Sequence, residues 1–83
     1  TFKCLKFAYE AGRIGGLAPT ILNGANEEAV ALLLEEKIKF LDIADLIEEC
    51  MDKFKEKSNM ELTIDNIITV DKEVREYLRK KVS

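Results

Sequence analysis

The stretch Pro19-Thr20-Ile21-Leu22-Asn23-Gly24-Ala25-Asn26-Glu27-Glu28-Ala29-Val30-Ala31-Leu32-Leu33-Leu34-Glu35-Glu36 decides the fold of this 83-residue chain. Ile21, Leu22, Ala25, Ala29, Leu32 and Leu33 recur at the 3.6-residue period of one helix face. Pro19 stands in the first turn, where a missing N–H leaves no helical bond unmade. A long amphipathic helix over residues 20–36 follows, and the same period continues on both sides of it. Upstream, Cys4, Leu5, Ala8 and Tyr9 share helical spacing, so residues 2–11 are predicted to form a short helix closed by Ala11 and Gly12. Gly12-Arg13-Ile14-Gly15-Gly16 then supplies the positive-φ freedom that a helix end and a turn require.

Downstream the pattern restarts at Asp42, a residue suited to cap a helix by accepting from its free N–H groups, with Asp45 at the third helical position. Ile43, Leu46, Ile47, Cys50, Met51 and Phe54 give that helix its apolar face. The run Lys55-Glu56-Lys57-Ser58-Asn59 offers nothing to bury and reads as an exposed loop. Thr63 opens a brief turn through Ile67. A final helix from about Asp71 sends Val74, Leu78 and Val82 inward and gathers Arg75, Arg79, Lys80 and Lys81 towards its C-terminal end, which suits the helix dipole.

Eighty-three residues close one core, so residues 1–83 are read as a single domain. One Pro, four Gly and no alternating β-branched run favour an all-α fold, a compact bundle of about four helices. The chain opens on Thr1-Phe2 without an initiator Met and enters its first helix at once, which reads as a piece of something longer.

Several function classes are disfavoured by the same composition. A net charge of −3 gives no basic face to displace phosphate counterions, so nucleic acid is not expected as a partner. No apolar run approaches the roughly 20 residues needed to cross a bilayer, and no signal peptide opens the chain; a soluble, cytoplasmic domain away from the membrane is expected. Cys4 and Cys50 are too far apart for a CxxC site, no His completes a zinc set, and both are read as buried, reduced thiols.

The most distinctive polar cluster is Asn23, Asn26 and Glu27, which spacings of three and four bring to one side of the long helix. One reachable carboxylate and two amides make a poor cage for magnesium, so the cluster is read as structural or interdomain, satisfying groups at a helix start or at a contact with a neighbouring helix or domain. The Gly12–Gly16 segment lacks the Gly-Lys-Ser/Thr ending of a phosphate-binding loop and is read as a turn. Without His, neither Ser58, Ser83 nor a Cys has its usual base. Carboxylates interleave with Lys, as in Glu35-Glu36-Lys37, in the manner of a solvated helix face. Arg75 and Arg79 share one face of the last helix, but Asp71, Glu73 and Glu76 beside them weaken a role against membrane or acidic partners. No catalytic, cofactor-binding or metal residue is assigned.

The run Gly16-Leu17-Ala18-Pro19-Thr20-Ile21-Leu22-Asn23-Gly24-Ala25-Asn26-Glu27-Glu28-Ala29-Val30 resembles the signature of the C-terminal domain of the 1-deoxy-D-xylulose 5-phosphate reductoisomerase family, in which Ala-Pro precedes Leu-Asn-x-Ala-Asn-Glu-x-Ala-Val. Three flanking segments agree in order and spacing: Cys4-Leu5-x-x-Ala8-x-x-Ala11-Gly12, Lys37-Ile38-x-Phe40-x-Asp42-Ile43, and Ile67-x-x-Val70-Asp71. The resemblance covers nearly the whole chain. Departures are Lys3 where family members often carry Pro, Gly24 where Ala is usual, and a Lys- and Glu-rich stretch over residues 53–59. Gly24 should loosen the long helix by up to ~1 kcal/mol relative to Ala.

The resemblance implies a parent enzyme that converts 1-deoxy-D-xylulose 5-phosphate into 2-C-methyl-D-erythritol 4-phosphate in isoprenoid biosynthesis, using NADPH and a divalent metal (Mg or Mn). It also implies an N-terminal dinucleotide-binding domain and a central catalytic domain as partners in the same chain, and a homodimeric parent. Family positions for metal, phosphate and dinucleotide have no counterpart in these residues, so the expected role is support, with this segment inactive alone. The alternative is a free-standing acidic module of acyl-carrier-protein type. That family needs Ser in an Asp-Ser-Leu context, and here Ser58 lies in Lys57-Ser58-Asn59.

Overall fold

The computed structural model describes the backbone over residues 2–82 and side chains over residues 5–82. Among the described residues the chain forms four α-helices and no strand: α1 (Phe2–Ile14), α2 (Ala18–Leu34), α3 (Asp42–Lys53) and α4 (Ile64–Val82), with a 3₁₀ segment at Lys55–Asn59 between α3 and α4. The all-α reading holds. Helix α2 is the central element, packed against each of the other three.

The buried stripe of α2 is Ala18, Ile21, Ala25, Ala29 and Leu32, the side that the apolar period selects, with Leu22 and Leu33 partly buried beside it. Its small Ala residues let neighbouring helices approach closely, while Ile21 and Leu32 fill the space between. From α3 come Ile43, Leu46, Ile47 and Cys50, followed by Phe54, and from α4 Val70, Val74 and Leu78; Met51 and Val82 pack partly buried against them. The expected inward faces of α2, α3 and α4 are thus the observed ones.

Helix ends depart from the sequence reading in four places. First, α1 runs to Ile14 with Gly12 inside it, and the turn is made by Gly15 and Gly16 at φ of 72° and 55°. The Gly15 N–H still donates to the Ala11 carbonyl at 3.0 Å, so the helix ends at Ile14, three residues later than the sequence suggests.

Second, Asp42 does not cap α3. Its Oδ2 accepts the Lys39 N–H at 2.9 Å, reaching back across the turn at Phe40 and Leu41 as the third residue of a capping box does.

Third, the run Lys55–Asn59 is not simply an exposed loop. Ser58 is buried, its hydroxyl donates to the Lys55 carbonyl at 2.5 Å, and its own carbonyl accepts the Leu17 N–H at 3.0 Å. This bond satisfies a donor at the entry to α2, whose N-cap residue Leu17 is wholly buried and has no side-chain oxygen to offer. Gly16 makes the contact feasible, since a Cβ there would be driven onto the Ser58 carbonyl oxygen.

Fourth, the brief turn after Thr63 is the first turn of α4, which starts seven residues earlier than expected. Thr63 Oγ1 accepts the Asn66 N–H at 3.1 Å, and the Asn66 side-chain amide donates to the Glu61 carbonyl at 2.8 Å. Ile67, Val70, Val74, Leu78 and Val82, at spacings of three and four, then form one unbroken inward stripe.

Helix α1 has the most informative face. Phe7 and Ala11 are buried, whereas Leu5 (70% exposed), Ala8 and Tyr9 (72% exposed) point outward, so the stripe singled out from the sequence is the outer one. Cys4, the fourth member of that stripe, has a side chain outside the described residues.

Candidate functional site

Two sides of α2 carry nearly all the polar groups of interest. On the side facing α4, Glu28 is almost buried and accepts from Arg79 Nε, while Arg75 Nη1 lies 3.5 Å from its other oxygen. Arg75 also donates to Glu27 and, at 3.0 Å, to Asp71 one turn earlier on its own helix. Arg79 forms a two-pronged bond to Glu35, 2.6 Å on each branch. The geometry is the parallel fork that a guanidinium offers a carboxylate. Bonding to Arg79 holds the Glu35 carboxyl below its usual range, and bonds to these acids hold both guanidinium groups firmly charged.

Such a network fastens α4 to α2 and spends its charge internally. A shallow depression lined by Lys37, Arg75, Glu76, Arg79 and Lys80 looks basic by composition alone. Its arginines already answer Glu27, Glu28, Glu35 and Asp71, and Lys37 lies 3.8 Å from Glu35. The cationic end of α4 is therefore a clamp within the domain. Further along, Glu49 of α3 accepts from Tyr77 and from Lys81, the latter at 2.8 Å. These bonds, from Lys81 first and Tyr77 second, hold the Glu49 carboxyl low, and the bond to Glu49 pushes the Tyr77 hydroxyl up to about 12.

The opposite side of α2 has no such network. Pro19, Asn23, Asn26 and Val30, spaced four, three and four apart, form its outer stripe, and all are exposed. Pro19, Asn23 and Asn26 line a groove with Leu22 of α2, Ala8, Ala11 and Gly12 of α1, and Ile47 of α3. None of these eight residues is ionisable, in a chain of which 35% is charged. Pro19 and Asn23 also edge a second depression, with Ile67, Ile68, Asp71, Lys72 and Arg75 of α4.

The three residues of the polar cluster thus divide. Glu27 turns to Arg75 on the neighbouring helix. Asn23 and Asn26 face outward, and no described residue hydrogen-bonds to either side-chain amide. The sequence reading missed Glu28 and Glu35. Their spacing of seven places both on one face of α2, and Arg75 and Arg79 sit one turn apart on α4, so the signal was a matched pair of charge periods on two helices.

Cys50 is fully buried and unpaired, and burial first, then the Glu49 charge, pushes its thiol up to about 12. A thiol held protonated in a core is a packing group rather than a nucleophile. Cys4, read as a second buried thiol, lies outside the described side chains.

A family model described as the DXP reductoisomerase C-terminal domain matches residues 1–77. The chain belongs to that family. Its relatives include proteins named 1-deoxy-D-xylulose 5-phosphate reductoisomerase from Clostridium beijerinckii, 62% identical over 80 residues, and from Clostridium botulinum strain Hall, 63% identical over 81 residues. The matched segments take in 96% and 98% of this chain but only 21% and 20% of those relatives. The chain therefore spans about one fifth of the length of the relatives it matches. No solved structure matches it.

Family membership overturns the acyl-carrier alternative, and the structure adds a physical objection, since the Ser58 hydroxyl is buried and bonded to Lys55. The residues present offer no cage for the divalent metal implied by the resemblance. Among the described residues no three His, Cys, Asp or Glu side chains are grouped to hold a metal ion, and Glu27, Glu28 and Asp71 are each bound to Arg. No helix is long and apolar enough to cross a membrane.

Proposed function

We propose that this chain is the supporting helical domain of an enzyme that converts 1-deoxy-D-xylulose 5-phosphate into 2-C-methyl-D-erythritol 4-phosphate, with NADPH and the divalent metal held by other parts of that enzyme. The observation that carries the reading is the family match over residues 1–77 in relatives of that name about five times as long. Residues 1–83 act as one unit, and its chemical work is mechanical. The α2–α4 clamp keeps the bundle rigid, and the unpartnered amides of Asn23 and Asn26 bond to the dinucleotide-binding or catalytic portion of the same enzyme, while Glu27 holds the outer stripe in place through Arg75. A homodimeric, cytoplasmic enzyme completes this reading.

Support for a non-catalytic role comes from the state of the ionisable groups. Those with displaced pKa values are in ion pairs on the α2–α4 and α3–α4 seams or, like Cys50, in the core, and none lines the α1–α2 groove. Displacement of this kind belongs to structural ion pairs and buried groups as well as to catalytic sites, and here each has a structural cause, a partner across a helix seam or, for Cys50, burial in the core. Deletion of this segment from the full-length enzyme tests the proposal. Loss of activity together with a lower unfolding temperature of the remainder is expected. A remainder that stays folded and fully active would refute it.

A further inference from the structure

The two faces of α1 point to a specific seat for the rest of the enzyme. A helix that is apolar on more than one face is one that is covered on more than one face. On α1, Lys6, Glu10 and Arg13 mark the solvated stripe, with Lys6 and Glu10 paired at 4.0 Å. Phe7 and Ala11 face the core. Between these two stripes on the far side lie Leu5, Ala8, Tyr9 and Gly12, apolar or small and exposed among the described residues. Ala8 and Gly12 form one wall of the groove whose other wall is Pro19, Asn23 and Asn26 of α2.

We infer that this groove and the flanking Leu5 and Tyr9 are the docking surface for an uncharged, extended segment from the portion of the reductoisomerase that precedes this domain. The inference rests on the supporting role proposed above and deepens it by naming the face and the chemistry of its partner. That occupant is available by length, because the matched relatives carry about four fifths of their chain outside the matched region. Its chemistry follows from the lining. No ionisable residue touches the groove, so a charged segment would be desolvated there without a counter-charge. Small residues at 8, 11 and 12 make room for an apolar side chain. Asn23 and Asn26 each present one acceptor and two donors, the complement of peptide N–H and C=O groups on an extended backbone. Leu5 and Tyr9, standing beside the groove, widen the apolar area that the same segment covers.

The corresponding experiment replaces Tyr9 with photoreactive benzoylphenylalanine in the full-length enzyme, with a second variant labelled at position 56 for comparison. Tyr9 is exposed and already aromatic, so the label stands beside the groove without filling it, and unchanged circular dichroism confirms it. The expected result is an intramolecular cross-link from position 9 to an uncharged peptide upstream of this domain, and none from position 56. A cross-link from position 9 to a second copy, to a charged peptide, or to nothing overturns the inference. Failure here with loss of activity on deletion would leave the supporting role standing on another face. Success here with full activity after deletion would locate the contact and refute the support.

Discussion

The two sides of α2 differ in what they do with polar groups. Towards α4, the charges at the seam are paired: Glu27, Glu28 and Glu35 meet Arg75 and Arg79, and Asp71 joins them. Towards α1, the exposed polar groups are two neutral amides set among small and apolar side chains, and they have no bond within the described residues. A seam that must stay closed in one chain uses long-range, directional ion pairs over an apolar core. A surface that must accept another element keeps neutral groups, whose desolvation is repaid by ordinary hydrogen bonds. The difference teaches that the longest family-like motif in the sequence presents two chemically distinct faces of one helix, one of paired charges and one of neutral amides.

The sharpest way to break the closed side is at its foundation. Gly16→Ala should destabilise the domain by about 2–4 kcal/mol, because a Cβ meets both a positive φ and the Ser58 carbonyl. Gly15→Ala, with the same sign of φ but open space around it, should cost only about 1–2 kcal/mol. Urea titrations of the two variants separate backbone strain from steric contact, and equal losses would show that the Ser58 contact is dispensable.

Smaller effects test the clamp itself. Glu28→Gln keeps shape and removes one charge from between two guanidinium groups, with an expected loss of about 1 kcal/mol after allowance for solvent around the half-exposed arginines. Raising the salt concentration should shrink that loss. Glu36→Gly should act in the opposite direction. Glu36 stands at φ 60°, where the Glu36 N–H donates to Leu33 and the Lys37 N–H to Leu32, and a glycine in that position removes steric cost worth up to about 1 kcal/mol. A thermal melt no higher than wild type would contradict this account of the α2 terminus.

Acid titration gives the mildest probe of the charged seams. Glu35 and Glu49 have folded-state pKa values below the usual 4.5, so each contributes stability that is present above that value and lost as pH falls through the lower, folded one. Stability should therefore be level from pH 7 to about 5 and decline below 4.5. A Glu35→Gln, Glu49→Gln double variant should decline less steeply over that acid range.

Much of this molecule is legible in its sequence, for reasons that particular residues make plain. The inward faces of α2 and α3 follow from one clear apolar stripe each. Helix α1 misled because it has two apolar stripes, and periodicity alone cannot say which of Phe7 and Ala11 or Leu5, Ala8 and Tyr9 meets the core. The start of α4 was hidden because Ile64, Ile67, Ile68, Thr69 and Val70 form a β-branched run that suppresses the helical signal, although Ile67 and Val70 continue the stripe of Val74 and Leu78. Ser58 was unreadable for a different reason: its burial depends on Gly16, forty-two residues away, and only the packed chain brings the two together. The cluster of Asn23, Asn26 and Glu27 was visible as a cluster, but its division between two faces depended on the position of Arg75.

The most direct test compares one double variant, Asn23→Ala with Asn26→Ala, in two settings. In the 83-residue domain both amides are exposed and without a bond among the described residues, and Ala is the better helix former, so stability should hold or rise by up to about 1 kcal/mol. In the full-length enzyme the same change removes bonds to the docked segment, and both unfolding temperature and turnover should fall. Opposite signs in the two settings are the predicted result. The same sign in both would contradict the assignment of this face to the rest of the enzyme.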